Sequence, residues 1–496
     1  MHLLRKNRFV RNLRTTIALT LVGSLLVTSC KKYEEFQVNP NQSSTATPAL
    51  LLTNICYSIF RSSSFLITEP AYAVRQLTYY ERVNNYVGYA WREGSFGNYQ
   101  TLSQVKAMDD LAATPDMKNY KGLAKLFRAI LFSQLTDQFG DIPYSSALGA
   151  SSGNVKPAYD TQEAVYKGIL QELEEANSIL SDANGAIGGD IIFDGKASQW
   201  QKLANALHLR LLIHLSKKES NTNLNIKSQF QAIVGNPTKY PLMSSAADNA
   251  QLVFNSSAAN NAYPGFGNLS IASLVSLEKS FVKLLKDTKD VRLFAFGEPI
   301  SGKEAGKFEN YEGVDAGLTI GEQIVLAGSA SKIKKRYYDD RINEPLIFLG
   351  YPEQEFLIAE AISRGWITSA GTASEHYENG IRASMKFYGI ADATITDYLA
   401  GTAVKLTPDN ALTNIALQKY IAMFLHSGLE PFYEQRRTGI PTLSVGPGTY
   451  NDKKVPKRWI YPQSEYDNNN DNVKTSTQAQ FGTTNETIND EIWLLK

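Results

Sequence analysis

The chain has 496 residues, with 50 Lys and Arg against 49 Asp and Glu and 43% hydrophobic residues. A charge this close to neutral excludes a general attraction for phosphate backbones, which needs a basic surface. The length is enough to bury a large core without disulfide staples and to form more than one subdomain.

At the N-terminus, Arg5, Lys6, Arg8, Arg11 and Arg14 precede an apolar run from Thr15 to Val27 and the small pair Thr28-Ser29 before Cys30. The run is about 13 residues where a spanning helix needs roughly 20. The pattern therefore predicts a cleaved signal peptide over residues 1–29 rather than a transmembrane anchor. Val27-Thr28-Ser29-Cys30 is similar to a bacterial lipobox, which implies acylation of the Cys30 thiol at the new N-terminus. Several acyl chains anchor where one is marginal, so Cys30 is the expected lipid attachment site and residues 30–45 a tether on the bilayer. Loss of the five basic residues leaves 45 Lys and Arg against 49 Asp and Glu, a formal charge of −4, and no nucleic-acid partner is expected. Cys56 is then the one remaining cysteine.

Residues 46–496 are the expected working domain. Behind Thr47-Pro48, Leu51, Leu52, Ile55, Cys56 and Ile59 recur at helical spacing, predicting a helix from Ala49 to Phe60 with Cys56 in its core face. Further apolar stripes predict helices from Asn119 to Phe139, stopped by Gly140 and Pro143, from Gln162 to Leu180 and from Ser198 to Ser216. A helix pair follows over Pro352 to Trp366 and Ser374 to Tyr388, then one long helix from Asn414 to Arg437. Such pairs, with Ala359 and Ala361 allowing close approach, resemble tetratricopeptide units without a strict 34-residue period. The expected fold class is mostly α: a scaffold of tetratricopeptide-like helix pairs with a few short strands. Long, irregular, aromatic-rich insertions are expected near 60–100, 235–345 and 440–496.

Several segments carry a family resemblance. Val38-Asn39-Pro40-Asn41, Leu135-Thr136-Asp137-Gln138-Phe139-Gly140-Asp141-Ile142-Pro143-Tyr144 and Pro157-Ala158-Tyr159-Asp160-Thr161-Gln162-Glu163 resemble signatures of the SusD/RagB family of nutrient-binding outer-membrane lipoproteins. So do Trp200 to Leu207 with Leu209-Arg210, Glu355 to Trp366, Gln435 to Pro441, and Arg458 to Tyr466. Ala206 and Asp467 depart from the family preference for Ser and Asn. The resemblance implies a cell-surface protein that captures an oligosaccharide or peptide and delivers it to a TonB-dependent transporter of the outer membrane.

Family members bind through variable aromatic loops, and the first insertion concentrates rings. Flat rings stack on sugar faces or peptide side chains, and amides and guanidinium groups bond hydroxyls or carbonyls. The candidate ligand residues are therefore Tyr79, Tyr80, Tyr86, Tyr89, Trp91, Arg92, Asn98 and Tyr99, with Tyr263, Phe266 and Asn268 in a second segment where Gly265 and Gly267 would admit a ligand to the backbone. Trp91, flanked by Arg92 and Glu93, is expected to be the ring least committed to the core. Truncation of Trp91 and Tyr89 is expected to abolish binding and spare the fold.

No catalytic residue, metal or cofactor is expected. Gly149-Ala150-Ser151-Ser152-Gly153 fits a nucleophile elbow but lacks the strand and helix that motif needs. His208 and His214 are six apart, not the i,i+4 pair of a zinc helix. Gly265-x-Gly267 is an incomplete dinucleotide fingerprint. Asp467-x-Asn469-x-Asp471 begins like a calcium loop but has Asn472 and Gln478 where glycine and glutamate belong. Two other readings stay open: a surface glycoside hydrolase, because paired acids leave no fixed spacing, and a tetratricopeptide-like interaction scaffold. The anchor is testable directly. Cys30→Ala is expected to move the protein out of the detergent-extracted membrane fraction, and retention there through a salt wash would exclude Cys30 as the anchor.

Overall fold

The computed structural model describes residues 46–62, 67–258, 261–368 and 370–496; the signal and tether segments, Cys30 and the Asn39-Pro40-Asn41 motif lie outside them. Helix follows helix from the start: Pro48–Ser62, Asn98–Leu111, Lys118–Phe139, Gln162–Ile179 and Ala197–His214 each pack on the one before. A second set, Tyr351–Ser363, Ala373–Phe387, Ala411–Ala422 and Glu430–Thr438, is built the same way and docks on the first through the 197–214 helix. Nineteen α-helices and two small sheets are found among the described residues, the mostly α scaffold that the periodicity predicts. No helix among them is long and apolar enough to cross a membrane.

Local chemistry fixes the element ends. Thr161 caps the 162–179 helix by accepting the Ala164 amide at 3.3 Å, and Thr372 with Glu375 forms a capping box on the 373–387 helix. The 118–139 helix stops at Gly140, whose φ of 89° suits glycine. A Cβ at Gly140 would collide with Gln480 Oε1, the atom that accepts the Asp141 amide at 2.9 Å. Gln162 then locks the turn, donating to the Thr136 carbonyl and accepting from the Leu494 amide, at 2.8 Å and 2.9 Å.

Two expectations are corrected. The long helix expected from Asn414 to Arg437 is two helices, because Leu425, Ser427 and Gly428 all take positive φ and the Ser427 amide donates to the Ile347 carbonyl at 2.8 Å. The insertions are more ordered than irregular loops: they hold the helices Lys279–Asp287, Ile320–Ala327 and Asn470–Phe481, and the Asn98–Leu111 helix begins inside the first. Two antiparallel strand pairs pin the first two of them, Leu77–Tyr79 on Val275–Leu277 and Ala250–Leu252 on Leu346–Leu349.

The core is apolar around Trp200, which is fully buried and ringed edge-on by Phe60, Phe127 and Phe193 at 6.1, 5.4 and 5.0 Å. Beside it runs a buried ionic network centred on the 430–438 helix. Arg437 reaches both oxygens of Glu360, at 2.6 and 2.8 Å, and Glu434 at 2.6 Å. Lys419 stands 3.1 Å from Glu434, and Arg210 grips Glu353 with two bonds of 2.5 and 2.6 Å. Burial would push the Glu434 carboxyl up, but Arg437 and Lys419 outweigh it and hold the group below the usual carboxylate range. Removing one partner of such a cluster strands the others in low dielectric. Arg437→Met is therefore expected to destabilise the fold by about 3–5 kcal/mol, read as a lowered urea midpoint; a midpoint within error of the parent would mean that the cluster adds nothing to stability.

Candidate functional site

The helices that carry this network also enclose a cavity of about 480 Å³. Its floor comes from the end of the 118–139 helix (Ser133, Gln134, Asp137, Gln138), from Leu207, Arg210, Leu211 and His214, and from Glu430 and Tyr433. The interrupted stretch Ser427 to Leu429 and Phe348 add to one side, and Glu69, Pro70, Tyr86, Ser95, Gly97 and Asn98 form the rest. Its volume lies in the range of sites for small ligands.

The floor is electrostatically closed on itself. His214 Nε2 is 2.7 Å from Glu430 and Nδ1 3.2 Å from Asp137. Burial works to lower the imidazole, but Glu430 and Asp137 outweigh it and raise His214 to about 10, so it is an imidazolium near neutral pH. Tyr166 donates to the remaining Asp137 oxygen at 2.5 Å. His214, Glu430 and Glu434 offer ligand atoms within 4.8 Å of one another, yet Glu434 already faces Arg437 and Lys419 and Glu430 faces His214 and, at 3.9 Å, Arg210. Protein cations occupy the places a metal would take. The acids of the floor are engaged by these cations rather than presented as a free acid and nucleophile. Glu69 differs: among the described residues its side chain has no hydrogen-bonding partner, and burial pushes its carboxyl up to about 7.

Two of the residues proposed from sequence reach this cavity, Tyr86 and Asn98, with Asn98 donating to Gln134 at 3.0 Å. The others are distributed elsewhere. Tyr79 is half-buried with its hydroxyl on Glu81, Tyr99 donates to the Pro143 carbonyl at 2.6 Å, and Arg92 and Phe266 are exposed. Asn268 is used as a helix cap, accepting the Ser270 and Ile271 amides.

Four rings expected to meet ligand are core. Tyr80 is buried and donates to the Ser273 carbonyl at 3.0 Å. Tyr263 packs edge-on against Phe254. Tyr89 is 0% exposed, donates to the Ala73 carbonyl at 2.9 Å and lies under the Arg75 guanidinium at 4.0 Å. Trp91, 3% exposed, stacks on Trp459 at 5.0 Å and 13°, with its indole nitrogen donating to the Arg458 carbonyl. The expectation that Trp91 and Tyr89 can be truncated without harm to the fold is reversed.

The sequence reading missed Glu69, Asp137, Arg210, His214, Glu430 and Tyr433. A signal existed for some: Asp137, Arg210 and His214 interrupt otherwise apolar helix faces.

A family model described as starch-binding and associating with the outer membrane matches residues 40–462. The chain belongs to the SusD-like family. An outer membrane protein of Bacteroides vulgatus linked to nutrient binding shares 36% identity with this SusD-like chain, over 91% of it and 100% of the other, at a TM-score of 0.83. A SusD homologue from Bacteroides fragilis shares 37% over the same proportions, also at 0.83. A chitin-binding protein shares 25% identity, again covering 91% and 100%, at 0.75. No curated protein matches the chain. The helical fold is thus the SusD-like fold, in a family of nutrient binders associated with the outer membrane. As for Trp91, Trp91→Ala is expected to cost about 3–5 kcal/mol, and Tyr86→Ala, at a half-buried ring, much less. Chemical unfolding of the two variants decides this; equal midpoints would contradict the burial difference.

Proposed function

We propose that residues 46–496 of this SusD-like protein form a glycan-binding domain, held at the outer membrane by a lipid on Cys30, which captures its ligand at the 69–98 cavity and passes it to a TonB-dependent transporter. The observation that carries the reading is the family match over residues 40–462, whose description is starch-binding. Likeness to a chitin-binding protein favours a glycan over a peptide. The cavity supports the same choice. Tyr86 and Tyr433 offer ring faces of the kind that stack on sugars, and Asn98, Gln134 and Gln138 offer amides that bond hydroxyls. The transporter and the lipid rest on the family resemblance and on the N-terminal sequence pattern.

Calorimetric titration with chito- and malto-oligosaccharides tests the reading. Saturable binding without product is expected, weakened about tenfold by Tyr86→Ala through lost stacking. Unchanged affinity in that variant would move the site away from the cavity, and release of shortened sugars would favour the surface hydrolase.

A further inference from the structure

The charged groups that line the cavity are unevenly spent. Arg210 is taken by Glu353 behind it, through two bonds of 2.5 and 2.6 Å. The His214 cation is set between Asp137 and Glu430, one positive group against two negative. Arg436, behind the Tyr433 ring at 4.7 Å, gives its guanidinium to the carbonyls of Lys457 and Asp137 at 2.5 and 2.8 Å. Among the described residues, that leaves Glu69 on the cavity wall with no cation of its own. The lining therefore carries excess negative charge, and both of its cations are already engaged.

This balance sorts ligands. A uronate or sulfate group entering the cavity would shed water and, among the described lining residues, find no cation that is not already paired, the costly case for a buried charge. An ammonium group would find the Glu69 carboxylate, and the half-buried Tyr86 ring attracts cations as well. Burial raises the Glu69 carboxyl, and an ammonium partner would favour its ionised form.

We infer that the cavity selects glycans carrying a free amino group, an amino sugar held as its ammonium ion by Glu69. The inference rests on the glycan-capture reading above and specifies the sugar class within it. Glu69 is here a specificity-determining residue, and the floor network sets the field in which it works.

The test is calorimetric titration of the protein near neutral pH with a fully deacetylated chitosan tetramer, its N-acetylated counterpart of equal length, and a short lysine peptide. The amino tetramer is expected to bind about tenfold more tightly than the acetylated one, the worth of one charge-assisted hydrogen bond. Glu69→Gln should bring that ratio close to one, with the thermal midpoint checking that the variant is folded, while Glu69→Asp, which keeps the charge, should retain the preference. Equal affinities in the parent protein, or a preference that survives Glu69→Gln, would overturn the inference. A peptide that binds as tightly as the amino tetramer, with the same dependence on Glu69, would overturn its assignment to sugars. Failure of both tetramers to bind would overturn the amino-sugar inference, and glycan capture itself would fall only if the malto-oligosaccharides also failed to bind.

Discussion

The ionic network around the 430–438 helix is the constraint on which the two helical sets depend. Through Glu430 this helix touches His214 and Arg210 of the first set, and through Glu434 and Arg437 it touches Lys419 and Glu360 of the second. Apolar faces tolerate small slides, because burial is proportional to area and has no direction. Charge pairs at 2.6 to 3.1 Å do not tolerate them. The hydrophobic core supplies the driving force, and the buried charges restrict how the two sets can register. Isolating a charge in the interior is expensive, and each member here is answered by another, so the arrangement persists as a unit.

The cavity inherits its rigidity from the same groups. Its floor is the cavity-facing end of the network, so the positions of Asp137, His214 and Glu430 are set before any ligand arrives. Preorganisation of this kind lowers the ordering cost of binding. It also leaves Glu69, Tyr86 and the amides of Asn98, Gln134 and Gln138 as the groups able to answer a ligand.

How much of this was legible in the sequence follows from the range over which each signal acts. Helices such as Lys118–Phe139 and Gln162–Ile179 were readable within one residue at either end, because a one-sided apolar stripe and its stop signals are local. The break at 423–429 was not read, since Phe424 and Leu425 continue the stripe; the turn is stabilised by the bond from Ser427 to Ile347, far away in the chain. Gly428 and Pro431 were the available hints. The Asn98–Leu111 helix was hidden by an aromatic-rich composition, although Leu102, Val105 and Met108 recur at helical spacing and are buried. Ring burial was the least legible feature. Arg92 and Glu93 are exposed, as their charge suggests, while Trp91 beside them turns inward to Trp459. Rings can be counted in a sequence, whereas the Trp459 that buries this one lies hundreds of positions downstream.

The mouth and the floor of the cavity belong to different parts of the molecule. The floor is built into the helical scaffold, while the segment that supplies Glu69 to Asn98 is tied by the Leu77–Tyr79 strand, and by the Glu278 amide on the Gln76 carbonyl at 3.0 Å, to the 235–345 insertion. Altering that insertion would therefore reshape the rim without disturbing the charged base beneath it. A scaffold divided in this way lets evolution retune which polymers gain access while the apparatus that keeps the protein folded is left untouched.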